Sequence, residues 1–151
     1  MINVYVAGSS QERLRARNAM DLVSKSPGHS LTHDWLAVME ASKPDCELSV
    51  SELEAAAVDD LNGIYQASVF WFLLPGVPSA GAWFELGYFA RRWCGPCDWV
   101  DDEGNQRRDR LIISGPGSDS VFIAWLRSIG AERYETDEEA ANALKLGGSN
   151  A

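Results

Sequence analysis

The apolar positions of this chain fall into short unbroken runs separated by longer stretches with helical spacing. Residues 67–74, Ala-Ser-Val-Phe-Trp-Phe-Leu-Leu, are almost wholly apolar and stop at Pro75. A run so rich in aromatic and branched side chains predicts a strand covered on both faces, as in the middle of a parallel sheet. Ile2-Asn-Val-Tyr-Val-Ala-Gly8 predicts a first strand and Arg110-Leu-Ile-Ile-Ser114 a fourth. His29-Ser-Leu-Thr-His-Asp-Trp35 predicts the second, and a short last strand is expected around residues 132–134.

Helical spacing fills the intervals. Ala16, Ala19, Met20 and Val23 mark one helix, started around Ser9-Ser10-Gln11-Glu12 and ended by Pro27-Gly28. Ser49 and Glu52 form a capping box ahead of a stripe of Leu53, Ala56, Ala57, Leu61, Ile64 and Tyr65. Pro75, Gly76, Pro78 and Gly81 force a sharp exit from the central strand, and a helix begins near Ala80. Val121, Phe122, Trp125, Leu126 and Ile129 give an amphipathic helix, and Thr136 with Glu139 caps a final one running through Leu144. Residues 36–47 show no clear period, with a loop at Lys43-Pro44-Asp45; residues 93–109 are the least regular, with a turn at 101–105 suited to a surface hairpin. Strands alternating with helices through short loops predict a single α/β domain over residues 1–146, with a loose tail at 147–151. Its parallel sheet of about five strands carries helices on both faces.

Composition narrows the partners. With 13 Lys and Arg against 22 Asp and Glu, the net charge is −9, and the longest basic cluster is Arg107-Arg108-Asp109-Arg110. Nucleic acid and anionic membrane surfaces are therefore not expected partners. No run reaches transmembrane length and the first residues enter a strand directly, so no signal peptide is expected. Three cysteines, an odd number, argue against a disulfide framework and for a reducing, cytoplasmic setting.

Two carboxylates call for an explanation. Glu85 falls in the helix after the central strand, among Trp83, Phe84, Leu86, Tyr88 and Phe89. The carboxyl edge of a central strand leading into a helix is where open α/β sheets keep their ligands. Glu85 is either a partner of the helix dipole or a working group. Asp60 lies seven residues after Leu53, on the apolar side of its helix, where a carboxylate is costly unless paired or in use. Asp59, next to it, points elsewhere and is expected to be solvated.

Trp93-Cys94-Gly95-Pro96-Cys97 spells the active-site sequence of thioredoxins. That chemistry activates its first thiol at the N-terminus of a helix directly following a strand. Here the motif follows a helix and precedes the acidic run at residues 98–103, which favours a tight Gly-Pro turn with two incidental thiols. Cys46 and the two histidines lie too far off in sequence to complete a zinc site, so neither metal nor cofactor is expected.

Val4-Tyr5-Val6-Ala7-Gly8-Ser9, Asp60-Leu61-Asn62-Gly63-Ile64 and Ser79-Ala-Gly-Ala-Trp-Phe-Glu85-Leu-Gly-Tyr88 together resemble the nucleoside 2-deoxyribosyltransferase superfamily. That group includes 2'-deoxynucleoside 5'-monophosphate N-glycosidases and related nucleotide hydrolases. The resemblance spans residues 2–90 in matching order and is looser beyond. It implies a flavodoxin-like sheet and cleavage of an N-glycosidic bond through a covalent sugar–enzyme ester. By resemblance, Glu85 is the nucleophile, Tyr5 the phenol that orients it, and Asp60 a candidate general acid. The residue six before the nucleophile is an Asp in transferases of free nucleosides and a Ser in monophosphate hydrolases; here it is Ser79.

The chemistry of the residues agrees. Displacement at an anomeric carbon needs an ionised carboxylate on one face and a proton for the leaving base. Glu85, near a helix N-terminus, is expected to stay ionised, whereas Asp60 on a buried face is expected to hold a proton. Backbone N–H groups at Gly8, Ser9, Ser10 and Gln11, with Ser79 and Gly81, would cradle a 5'-phosphate. The first loop departs from the hydrolases' pattern, which carries an Arg and further glycines. His33 and Trp35 are expected either against the base or in packing. The resemblance also implies a homodimer in which a neighbouring subunit's Ser, matched by Ser118 or Ser120, reaches the phosphate. Two other functions are weighed: a nucleotide-binding sensor without turnover, and a dithiol oxidoreductase using Cys94 and Cys97.

Overall fold

The computed structural model describes residues 1–44, 47–94 and 109–147. Its order is β1 (Ile2–Ala7), α1 (Arg13–Lys25), β2 (His29–Leu31), α2 (Trp35–Ala41), α3 (Val50–Gln66), β3 (Val69–Leu73), α4 (Ala80–Trp93), β4 (Arg110–Ser114), α5 (Val121–Ser128), β5 (Glu132–Tyr134) and α6 (Asp137–Gly147). The five strands form one parallel sheet in the order β2-β1-β3-β4-β5, a flavodoxin-like α/β arrangement. α1 and α6 pack against each other and on one face, while α3 and α4 cover β1 and β3 on the other.

The core follows from the apolar runs. All five residues of β3 are buried, and Val4 through Ala7 of β1 have no exposed surface. Registered side by side, Tyr5 and Phe70 stack at 5.6 Å between ring centres, and Phe70 stacks on Phe89 of α4 at 4.7 Å. This aromatic column joins β1, β3 and α4 below the carboxyl edge of the sheet.

Several expectations need correction. Only the first three residues of the expected second strand are extended; Asp34 accepts a hydrogen bond from the Ala37 N–H and caps a helix that starts at Trp35. The apolar stripe assigned to α3 is largely outside the core. Gly63 and Ile64 are its buried residues, whereas Leu53 and Tyr65 are exposed. α5 buries Ile123 and Leu126 and turns Val121, Phe122 and Trp125 outward. Both expected capping boxes are present, at Ser49–Glu52 and Thr136–Glu139. α6 continues through Gly147, one residue into the expected tail. Residues 95–108 of the hairpin expected over 93–109, together with Asp45, Cys46 and the tail from residue 148, lie outside the described residues. No helix among the described residues is long and apolar enough to cross a membrane.

Candidate active site

Three loops meet at the carboxyl edge of β1 and β3. They are the β1–α1 turn, the β2–α2 connection and the β3–α4 exit loop. Glu12 ties the first to the third: its carboxylate accepts the Gly76 N–H at 3.2 Å and pairs with Arg15 at 3.4 Å. Between these loops and α3 lies a cavity of about 450 Å³. Gly8, Ser9, Ser10 and Gln11 line it, with Ser79 and Gly81 at the start of α4 and Asp60, Glu85, His33 and Trp35. Val38 and Met39 of α2, with Leu53, Ala56 and Ala57 of α3, form an apolar wall. Sequence reasoning missed this wall. It assigned the α3 residues to the core and found no period in α2, whose seven residues are too few to display one.

Tyr5 lies beneath the cavity with no exposed surface, and its hydroxyl donates to Glu85 Oε1 at 3.1 Å. The fit arises because Ala82, Leu86 and Phe89 bury one stripe of α4, and Glu85 sits at the border of that stripe. Burial and the nearby charges of Glu85 and Asp60 raise the Tyr5 phenol far above its usual range, so it remains a donor at every working pH.

Glu85 departs from expectation. α4 starts at Ala80, which puts Glu85 in the second turn, beyond the strong part of the helix dipole. Burial is the dominant influence, Asp60 adds repulsion, and the Tyr5 hydrogen bond offsets only part. The carboxyl is pushed up to about 8, so it is largely protonated at neutral pH, not ionised. Asp60 is also raised, first by burial and then by Asp59, with His33 opposing. His33 Nε2 lies 3.2 Å from Asp60 Oδ1. The two carboxyl groups therefore resist ionising together, and the pair holds one proton over a broad pH range.

The remaining site residues divide. Ser9 is buried, and its Oγ accepts the Gln11 N–H at 3.2 Å, so that N–H is already engaged in the turn. Ser79 is the N-cap residue of α4, yet its hydroxyl makes no capping bond. Among the described residues lining the cavity there is no Arg or Lys; positive potential there comes from the N-termini of α1 and α4. Trp35 is buried, with its indole N–H donated to the Val6 carbonyl at 2.9 Å. It ties α2 to β1 and also lines the cavity. Ser120 caps α5 through the Ile123 N–H, and within this chain neither it nor Ser118 lines the cavity. Cys94 is the C-cap of α4, the helix end that disfavours a thiolate.

No family model matches the sequence, and no curated protein matches it. The structure is similar to that of the CMP N-glycosidase BcmB from Clostridium botulinum, with a TM-score of 0.55 and 16% identity over 95% of this chain and 98% of that one. At that identity, the likeness establishes a shared α/β fold over nearly the whole length of both chains.

Proposed function

We propose that this protein cleaves the N-glycosidic bond of a nucleoside or nucleoside 5'-monophosphate by hydrolysis, with Glu85 as nucleophile. The observation that carries the proposal is the pairing of two unequal, partly buried carboxyl groups at one cavity. One accepts from a buried phenol, the other is held by an imidazole, and neither is neutralised by a guanidinium or ammonium group among the described residues. The reactive form has Glu85 ionised and Asp60 protonated. A Glu85 oxygen bonds to the anomeric carbon as the carbon–nitrogen bond breaks, and the bond's electron pair leaves with the base. Asp60 gives that nitrogen its proton. Water, deprotonated by Asp60, then opens the sugar ester and returns Glu85 to the carboxylate.

The cavity walls suit such a substrate. Val38, Met39 and Leu53 offer an apolar face for a flat base, and Ser79 with the loop at residues 9–11 offers polar groups to the sugar end. The fold neighbour is named for action on CMP, a nucleoside 5'-monophosphate, which favours phosphate at that end. Incubating the protein with matched nucleosides and 5'-monophosphates, and following free base by chromatography, tests the reading. Release of base by the wild type and its loss in Glu85→Gln are expected. Tight binding of a nucleotide without base release would favour the sensor.

A further inference from the structure

Gly63 stands in the interior of α3, one turn after Asp60, and is buried. Glycine is the poorest helix former apart from proline, so a buried glycine in mid-helix calls for a packing reason. The surroundings supply one. A Cβ at position 63 would lie 2.6 Å from the His33 Cβ and 3.1 and 3.2 Å from Cε2 and Cδ2 of Tyr5. The first contact cannot be relieved by a side-chain rotation, because the His33 Cβ is fixed to the backbone of the β2–α2 connection. Gly87 of α4 offers the contrast. It is exposed, and an added Cβ would meet nothing within 4 Å.

The two residues that press on Gly63 are the hydrogen-bond partners of the two carboxyl groups. His33 reaches Asp60 at 3.2 Å and Tyr5 reaches Glu85 at 3.1 Å. We infer that Gly63 is a positioning residue: the missing side chain sets how closely α3 approaches His33 and Tyr5, and so holds both carboxyl groups in their paired geometry. Its catalytic consequence rests on the glycosidase reading above. A displacement of less than about 1 Å would leave the cavity walls in place yet loosen both pairs, which separates its effect from one on substrate binding.

A double-mutant cycle tests this. Gly63→Ala is expected to lower kcat by about 100-fold while KM moves by less than about threefold, since misplaced catalytic groups penalise turnover more than binding. His33→Gly vacates the Cβ that the new methyl group would strike. In that background, Gly63→Ala should change kcat by less than about fivefold, the remainder coming from the tighter Tyr5 contact. Gly87→Ala should leave kcat within about twofold and raise the melting temperature, as alanine does at an open helical site. The same cycle read in melting temperature needs no substrate: Gly63→Ala should lower it far more when His33 is intact than in the His33→Gly background. If Gly63→Ala alone does not fold, it should fold in the His33→Gly background. An equal kcat or melting-temperature loss in both backgrounds, failure to fold in both, or wild-type kcat in Gly63→Ala would overturn the inference. Absence of any nucleoside or nucleotide cleavage by the wild type would instead remove the glycosidase reading, leaving the melting-temperature cycle to decide the spacing role.

Discussion

The sheet carries partly buried acidic groups in two regions, and they are treated in opposite ways. Around β4 and β5, Asp137, Glu132 and Asp119 each have a guanidinium. Asp137 is bound by Arg15 at 2.8 and 3.0 Å and accepts from Ser114 Oγ at 2.6 Å. Arg110 grips Glu132 at 2.7 and 2.8 Å, and Asp119 pairs with Arg127 and Arg133. Burial opposes the ionised form of Asp137, but the Arg15 hydrogen bonds, the Ser114 hydroxyl and the Arg15 charge outweigh it and hold the carboxyl below its usual range. Beyond β1 and β3, Asp60 and Glu85 have an imidazole and a phenol in place of guanidinium groups, and both are raised. A carboxylate that only braces the fold gains from a full counter-charge. One that must attack carbon, or hand over a proton, cannot be so neutralised. The difference separates scaffold from site on a single sheet.

Substitutions on each side should break this contrast in different ways. The largest effect is expected at Glu85. Glu85→Gln should fold and bind but lose at least about 1,000-fold in turnover, because an amide cannot form the sugar ester. The same change should stabilise the protein on the alkaline side. The folded-state pKa of Glu85 lies above its ordinary 4.5, so ionising it costs folding energy as pH rises from 4.5 towards 8. Chemical denaturation should show Glu85→Gln more stable by about 3–5 kcal/mol at pH 8, with no difference below pH 4.5.

Asp60→Asn should lower kcat by about 100-fold, since the leaving base loses its proton donor. It should also reshape the pH profile. In the proposed reaction, the singly protonated pair is the active form. Activity on a nucleoside should rise above the ordinary Asp value of 3.8 and fall again near pH 8 as the shared proton is lost. With Asp60 neutral, Glu85 loses its repelling neighbour and ionises at lower pH. The residual activity should then rise with pH and show no alkaline fall. An unchanged bell in Asp60→Asn would remove Asp60 from the proton transfer.

Asp137→Asn should act on the scaffold alone. Its cost is expected at about 1–3 kcal/mol at neutral pH, with kcat within about threefold. Because the Asp137 pKa is lowered on folding, its contribution is complete above 3.8 and fades as pH falls through the lower folded value. Denaturant titrations at pH 7 and pH 3 would show the narrowing.

How much of this was legible in the sequence depended on whether contacts were local. The buried runs of β1, β3 and β4 place those strands within two residues, because a continuous apolar stretch bounded by glycine or proline admits few alternatives. Glu85 and Asp60 stand out in the sequence as carboxylates among apolar neighbours, and Tyr5 by the resemblance of the first strand. Their electrostatics were not legible: the Glu85 pKa depends on burial over Tyr5, 80 residues away in the chain. Nor does spacing reveal that His33 meets Asp60 across 27 residues. α5 misled for another reason. It is apolar around most of its circumference, so periodicity alone could not choose Ile123 over Trp125 as the inward position. At Trp35 the alternation of His29 through Trp35 mimicked a strand, and the Asp34 cap that overrides it lay inside the same run.

The central claim is that Glu85 forms a bond to a sugar. A nucleoside or nucleotide analogue with fluorine at the sugar's 2-position slows hydrolysis of such an ester. After incubation with a panel of these analogues and proteolysis, mass spectrometry should find the peptide containing Glu85 heavier by the fluorinated sugar, with no adduct in Glu85→Gln. Cleavage of the parent substrates with full activity in Glu85→Gln, or an adduct on any other residue, would contradict the account.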